Sequence, residues 1–107
     1  MDYTVLVSIE YGGYSLEVET DVDAYSEDEA KSSAEESIRD NLIVYGKAEG
    51  EDYSDDIQEY EVDVTIQTLG SYYIETRENV DAYGTSEAEE NATEKVRDNI
   101  LIFSKTL

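Results

Sequence analysis

The sequence contains no cysteine, no histidine, no proline and no tryptophan. Without cysteine there is no disulfide framework and no thiol nucleophile. Without cysteine and histidine, the usual zinc ligands and the commonest general base are missing as well. The 28 acidic side chains form many carboxylate pairs by chance, and no spacing marks one pair as desolvated. We therefore expect a protein that is not an enzyme and that holds no metal or cofactor.

Long apolar runs are also missing. No segment approaches the roughly 20 apolar residues that span a bilayer. The first residues, MDYTVLVSIE, lack the basic start and the long apolar stretch of a signal peptide. We expect no membrane partner and a cytoplasmic location.

Basic residues are scarce: 7 Lys and Arg stand against 28 Asp and Glu, which gives a net charge of −21 and a pI near 4.1. Low mean hydropathy with such a charge is typical of disorder. The ten tyrosines and the regular apolar patterning nevertheless predict a folded chain. Because acidic residues occur throughout the sequence, the acidity belongs to the folded domain and not to a tail.

One supersecondary unit occurs twice. Residues 22–47 match residues 80–105 at 12 of 26 positions with a constant offset of 58, and both copies begin with VDAY. Upstream of each match, apolar and polar residues alternate, which predicts two strands. A hairpin is predicted at Gly12–Gly13 in the first copy and near residues 69–71 in the second.

A helix follows each predicted hairpin. Its apolar residues recur every four positions, as a narrow stripe that suits close packing on a sheet. The stripe residues are Ala30, Ala34 and Ile38, and Ala88, Ala92 and Val96. Ser26 and Ser86, each followed three residues later by glutamate, predict capping boxes. Asn41 and Asn99 stand where a left-handed helix end would fall.

The apolar segments LIVY (42–45) and ILIF (100–103) come directly after the helices. Their residues leave the apolar stripe of the helix, which favours a short third strand that is either buried on both faces or lies at a covered edge of the sheet. Alternatively, each segment forms a last turn of the preceding helix, or the two segments form a dimer interface. Arg39 and Arg97 precede the two segments, where a positive charge complements the dipole at the helix end.

The order ββα(β)–ββα(β) predicts an α+β fold. Two hairpins joined edge to edge would give a four-stranded antiparallel sheet with both helices on one face, in a permuted ferredoxin-like order with pseudo-twofold symmetry. We expect a single domain, 1–107, made of repeats 1–47 and 58–107 and an acidic linker 48–57. One repeat of about 45 residues is too small to bury its own core well.

Acidic side chains occur at every second residue on the solvent-exposed face of this predicted sheet, the face that the helices do not cover. Neighbouring acids along a strand are about 6.6–6.8 Å apart. Phosphates of nucleic acids are also evenly spaced, so such a surface fits a groove lined by Lys and Arg and does not itself bind nucleic acid. Tyrosines among surface acids favour a protein interface. The predicted partner-binding residues are Glu17, Glu19, Asp21, Asp23, Glu61, Asp63, Glu75 and Tyr73, with Tyr53, Asp55 and Asp56 in the linker.

The pattern YTVxVxxxxGG at 3–13, followed by VDAYSEDEA at 22–30, is similar to small phage-type proteins with a strand pair before an SxxEA helix start. Small, acidic, cysteine-poor α+β domains also resemble the DNA-mimic inhibitors that phages and mobile elements use against restriction or CRISPR systems. The resemblance implies an inhibitor that occupies the basic groove of a DNA- or RNA-binding defence protein in the host cytoplasm. It transfers no functional residue to this chain.

Two other functions fit the same composition. Proteins of salt-loving organisms also carry many acids and few lysines, and in them the charge serves solubility. The third hypothesis is an oligomeric structural module that forms a homodimer through 42–45 and 100–103.

Overall fold

The computed structural model describes residues 1–68 and 72–107, in which the order β-β-α-β occurs twice. The first repeat forms β1 (Asp2–Tyr11), β2 (Tyr14–Asp23), α1 (Glu27–Asp40) and β3 (Ile43–Ala48). The second repeat forms β4 (Gln58–Thr68), β5 (Tyr72–Ala82), α2 (Thr85–Asn99) and β6 (Leu101–Thr106). The predicted α+β class is confirmed, and the segments after the helices are strands.

The strands form two three-stranded antiparallel sheets, with β1 central in the order β2-β1-β6 and β4 central in the order β3-β4-β5. The third strand of each repeat is therefore exchanged. Strand β3 joins the hairpin of the second repeat, and β6 joins the hairpin of the first. The predicted four-stranded sheet with a permuted ferredoxin-like order is not confirmed, because each hairpin is extended by a strand of the other repeat.

The chain divides into two compact units that follow the sheets and not the repeats. The first contains Met1–Leu42, Gln67–Tyr72 and Ile100–Leu107, and the second contains Ile43–Ile66 and Tyr73–Asn99. The first unit thus holds β1, β2, α1 and β6, and the second holds β3, α2 and most of β4 and β5.

The β1–β2 hairpin closes through Gly12–Gly13, as predicted. Both glycines have positive φ, 57° and 89°, which glycine adopts without strain. The register pairs Tyr11 with Tyr14 across this two-residue turn. The turn predicted near residues 69–71 lies outside the described residues.

Helix α1 covers one face of the first sheet, which we call the inner face. The buried strand residues there are Val5, Val7, Ile9, Tyr11 and Val18, and the predicted stripe of α1 is buried with them. Tyr14 pairs with the buried Tyr11 but is 55% exposed, because it adjoins the turn at the end of the sheet. Alanines in the stripe let the helix lie close to the strands.

The inner face of the second sheet is built in the same way. Its buried residues are Val44, Tyr60, Val62, Val64, Ile66 and Ile74, with Ala88, Ala92 and Val96 of α2. Glu78 is also buried, and Lys95 Nζ lies 3.3 Å from its Oε2. A cation beside this carboxylate offsets the cost of removing it from water.

The two helices begin differently. In α1 the backbone N–H of Glu29 donates to Ser26 Oγ at 3.2 Å, so this predicted cap is confirmed. The cap predicted at Ser86 is wrong, because that residue lies inside α2 and the carbonyl of Gly84 accepts a hydrogen bond of the first helical turn. A side chain at Gly84 would clash with the backbone carbonyl of Asp52, which explains why the position holds no capping side chain.

Both helices end at an asparagine side chain. The φ of Asn41 is −102°, so the left-handed helix end predicted there is wrong. Instead, Asn41 Nδ2 donates to the carbonyl of Ser37 at 2.8 Å, and Asn99 Nδ2 donates to that of Lys95 at 2.7 Å. The carbonyl of Ser37 also accepts the backbone N–H of Asn41 at 3.2 Å, so the side-chain amide adds a second hydrogen bond at the end of α1.

Side chains of α2 hold the exchanged strand β3. Arg97 Nη2 donates to the carbonyl of Val44 at 3.2 Å, and the backbone N–H of Ala48 donates to Glu89 Oε2 at 2.9 Å. The sequence placed Arg97 at a helix end, but its partner on β3 lies 53 residues away along the chain.

Strand β6 is held in the first unit by β1 and α1. Its register with β1 runs antiparallel over six pairs, from Val5 with Thr106 to Glu10 with Leu101. Ser104 Oγ donates to Glu35 Oε2 of α1 at 2.8 Å, and the hydroxyl of Thr106 donates to the carboxylate of another α1 residue, Glu27.

Short connections explain the exchange. One residue, Ile100, separates α2 from β6, and two residues, Asn41 and Leu42, separate α1 from β3. Connections from a helix back to its own sheet usually take about 2–6 residues. The first connection is below this range and the second is at its lower limit, which favours pairing of the third strand with the other sheet over a tight reversal back to its own.

Replacing Arg97 with alanine is expected to lower the free energy of unfolding by about 1–2 kcal/mol, because a hydrogen bond from a charged donor contributes roughly 1.5–3 kcal/mol and this donor is partly exposed. Arg39→Ala is the matched control, since Arg39 occupies the equivalent last turn of α1. Urea denaturation followed by circular dichroism measures both. Equal losses would show that Arg97 acts only on its helix end and not on β3.

Candidate interaction surfaces

Strand β2 places four acidic side chains in one column on the outer face of the first sheet, opposite α1. Glu17, Glu19, Asp21 and Asp23 alternate with inward residues such as Val18, and all four are exposed. Neighbours in such a column lie about 6.6–6.8 Å apart. We call these four residues the β2 column.

Two members of the column have partners within the first unit. The amino group of Met1 lies 3.0 Å from Asp23 Oδ1, and this hydrogen bond and charge raise the pKa of the amino group. Thr4 Oγ1 donates to Asp21 Oδ1 at 3.0 Å. Within residues 1–68 and 72–107, neither Glu17 nor Glu19 forms an ion pair, so both keep their full charge for another molecule.

Lys105 of β6 lies on the same outer face, at the opposite edge of the sheet from β2. The register places Leu6 between Glu19 and Lys105, so these two charges are separated by two strand spacings, about 9–10 Å. That distance is close to the Debye length at physiological ionic strength. Lys105 therefore compensates the β2 column only weakly.

The outer face of the second sheet has charges of both signs. Glu61 and Asp63 of β4 and Tyr73 and Glu75 of β5 are exposed on it, as predicted from the alternation. Arg77 of β5, which the sequence analysis did not assign, donates from Nε to Asp63 Oδ1 at 2.9 Å. This hydrogen bond and the charges of Asp63 and Glu61 raise the pKa of the guanidinium.

A shallow depression on the second unit has the same mixed character. Its charged lining residues are Lys47, Glu49, Glu59, Glu61, Asp63 and Arg77. Because Arg77 and Lys47 stand among the carboxylates, this region presents a weaker negative field than the β2 column.

The predicted linker residues Tyr53, Asp55 and Asp56 are exposed in a loop of the second unit. The loop is fixed at several points. The backbone N–H of Ser54 donates to the carbonyl of Tyr83 at 2.5 Å. Further bonds join Tyr60 Oη to the carbonyl of Glu51 at 3.1 Å, and Thr85 Oγ1 to Asp52 Oδ1 at 3.4 Å. The predicted residues thus fall into two sets: the β2 column on the first unit and all the others on the second.

Exposed apolar side chains are the feature that the sequence analysis missed. Burial on both faces or a covered edge was predicted for LIVY and ILIF, but Ile43 is 56% and Tyr45 is 49% exposed on β3. On β6, Leu101 is 61% and Phe103 is 49% exposed. Burial on both faces is wrong because β3 and β6 are edge strands of sheets that a helix covers on one face. Because all four residues of each segment are apolar, the sequence shows no alternation of apolar and polar residues that would have indicated one exposed face.

Within residues 1–68 and 72–107 there is no group of three or more acidic side chains arranged to hold a metal ion. No helix in that part of the chain is long and apolar enough to cross a membrane. The chain matches no protein family, no curated protein and no solved structure.

Proposed function

We propose that this is a non-enzymatic binding protein whose acidic sheet face occupies the basic groove of a DNA- or RNA-binding protein. The observation that supports this most strongly is the β2 column, in which acidic side chains stand exposed on one strand. Two of them, Glu17 and Glu19, have no cation beside them in the part of the chain that the structure describes.

The spacing of the column suits a groove built for nucleic acid. Its step of about 6.6–6.8 Å is close to twice the roughly 3.4 Å of helix axis that each phosphate of one strand occupies in duplex DNA. A groove whose Lys or Arg side chains follow every second phosphate along that axis would therefore meet a carboxylate at a similar interval. The net charge of −21 would also speed association with a cationic partner by long-range attraction.

The same charge makes direct binding to nucleic acid unfavourable, since both surfaces are negative. A target of the proposed kind acts where nucleic acid is handled, so we expect the protein to work in the cytoplasm. A defence nuclease is the target class that the resemblance to DNA-mimic inhibitors implies.

Displacement of DNA is the experiment that tests this function. The protein is titrated into complexes of a short fluorescent duplex with each of several purified restriction endonucleases and RNA-guided nucleases, and anisotropy reports release. We expect release from at least one nuclease, weakening as KCl rises from about 0.05 to 0.3 M because salt screens the attraction. Release by the protein should exceed release by polyglutamate at equal total charge, because the folded sheet holds its carboxylates at fixed intervals.

Two outcomes would count against the proposal. If polyglutamate is as effective as the protein, the arrangement of the carboxylates contributes nothing. If circular dichroism shows that the chain unfolds at low KCl and folds only at molar KCl, the acidity serves a salt-rich environment, as the halophilic alternative requires. A modest gain in melting temperature with salt is compatible with the proposal, because screening relieves self-repulsion in any acidic protein.

A further inference from the structure

The outer face of the first sheet is acidic on one side and apolar on the other. Strand β2 contributes the β2 column at one edge, and β6 contributes Leu101 and Phe103 at the opposite edge. On β1 between these edges, Leu6 lies opposite Glu19 and Lys105 and is a diagonal neighbour of Phe103, Ser8 lies opposite Glu17 and Phe103, and Glu10 lies opposite Leu101. We call Leu6, Leu101 and Phe103 the apolar strip.

The strip is accessible to another molecule. Leu101 is 61% and Phe103 is 49% exposed, and Leu6 is half-buried. Leu101 and Phe103 are two residues apart on one strand, so they lie on the same face about 6.8 Å apart. Exposed apolar groups that adjoin one another and are bordered by polar residues are typical of interaction sites.

Charge determines which class of molecule can cover this face. A second copy of the chain would bring a further net charge of −21 against the β2 column, and nucleic acid would bring phosphates. A cationic protein segment is attracted by the same column. The occupant must therefore combine Lys or Arg with apolar side chains.

The dimensions of the face favour a helix. Two strand spacings, about 9–10 Å, separate the β2 column from the β6 edge. An α-helix with its side chains is about 10–12 Å across, so one helix lying along the strands reaches both edges. Its apolar stripe would contact the strip while a basic flank faces Glu17 and Glu19.

We propose that the outer face of the first sheet binds a cationic amphipathic helix of the partner protein. The proposal rests on the proposed function and adds the partner's chemistry at this face: an apolar stripe is needed as well as positive charge. A pure mimic of a phosphate backbone would require only the charge.

Two synthetic helical peptides test this proposal. One carries leucines at i, i+3, i+4 and i+7 with lysines on the flanks, and the other has alanine at every leucine position and the same lysines. Alanine keeps helix propensity and charge but removes the large apolar side chains. Isothermal titration calorimetry at about 0.15 M KCl should show that the leucine peptide binds at least about tenfold more tightly than the alanine peptide.

Variants of the full chain assign the binding to this face. Leu101→Thr combined with Phe103→Thr keeps strand propensity and should remove the tenfold preference for the leucine peptide while leaving alanine-peptide binding within about twofold. Tyr25→Ser is the matched control, because Tyr25 is 97% exposed in the loop between β2 and α1; it should change neither affinity. Glu17→Gln with Glu19→Gln should weaken both peptides.

Each contrary result has a distinct meaning. If the Leu101 and Phe103 variant is folded by circular dichroism and still prefers the leucine peptide, the proposal is wrong, although release of duplex DNA by the unchanged protein would still support the proposed function. If sedimentation instead shows dimers that strengthen with salt and disappear in this variant, the strip is covered by a second copy. Peptide binding must weaken with salt, so the sign of the salt dependence separates these cases.

Discussion

Cutting the chain between Asp55 and Asp56 is expected to leave its two halves associated. A protease site inserted at this exposed position of the linker allows the cut to be made in the folded protein. Size-exclusion chromatography at about 1 µM should then give one peak at the position of the intact chain, and denaturing electrophoresis should show two fragments. We expect a dissociation constant below about 1 µM, which corresponds to roughly 8 kcal/mol.

The exchange of β3 and β6 is the reason for this expectation. The first fragment carries β3, which pairs with β4, and the second carries β6, which pairs with β1. Separation of the fragments would therefore remove an edge strand from both sheets and uncover Val44 and the inward side of β1 and β4. Buried backbone groups that lose their partners make this step unfavourable.

Charge opposes the association but does not prevent it. The fragments have 16 and 12 acidic residues against 3 and 4 basic ones, so both are negative. At about 0.15 M salt the Debye length is near 8 Å, and most of this repulsion is screened. Association should therefore become tighter as salt increases, opposite to the trend expected for a basic partner.

A variant with longer connections provides the control. About five Gly and Ser residues inserted after α1 and again after α2 bring both connections within the range at which a strand can return to its own sheet. After the same cut, these halves should separate, because each can now be completed by its own third strand. Separation of the halves in the unmodified protein would contradict the exchange.

The repeat and its elements could be predicted because they depend on local patterns. Alternation in residues 3–11 and 60–66 predicted strands, and the four-residue recurrence of Ala30 and Ala34 predicted a helix on a sheet. Which sheet receives each third strand could not be predicted from side chains, because LIVY and ILIF have nearly the same chemistry. Only the length of the connections distinguishes the two arrangements.

The candidate surface could also be predicted only where it depends on a local pattern. Acids alternating with apolar residues on β2 indicated the outer column directly, because strand side chains alternate between faces. The pairing of Arg77 with Asp63 depends on how β4 and β5 align, and no local pattern specifies this. The exposure of Leu101 and Phe103 depends on β6 being an edge strand, which is a property of the whole sheet.

Replacing Glu17 and Glu19 together with lysine is expected to weaken binding to a nuclease that the protein inhibits by about 100-fold. Each change removes an attraction to a groove cation and adds a repulsion, together roughly 1–2 kcal/mol per position. Two positions amount to about 2.7 kcal/mol, or two powers of ten in affinity. The fold should be kept or stabilised, since both side chains are exposed and lysine relieves repulsion with Asp21.

Glu36→Lys with Asp40→Lys is the control that separates the position of the charges from the total charge. Both residues are exposed in the last two turns of α1, where lysine complements the helix dipole. Both double variants change the net charge from −21 to −17, because two acids become two lysines. Long-range attraction is therefore reduced equally, and only the position of the charges differs. DNA-release titrations should show a loss of a few-fold for the helix variant; an equal loss in both would mean that total charge acts and the β2 column does not.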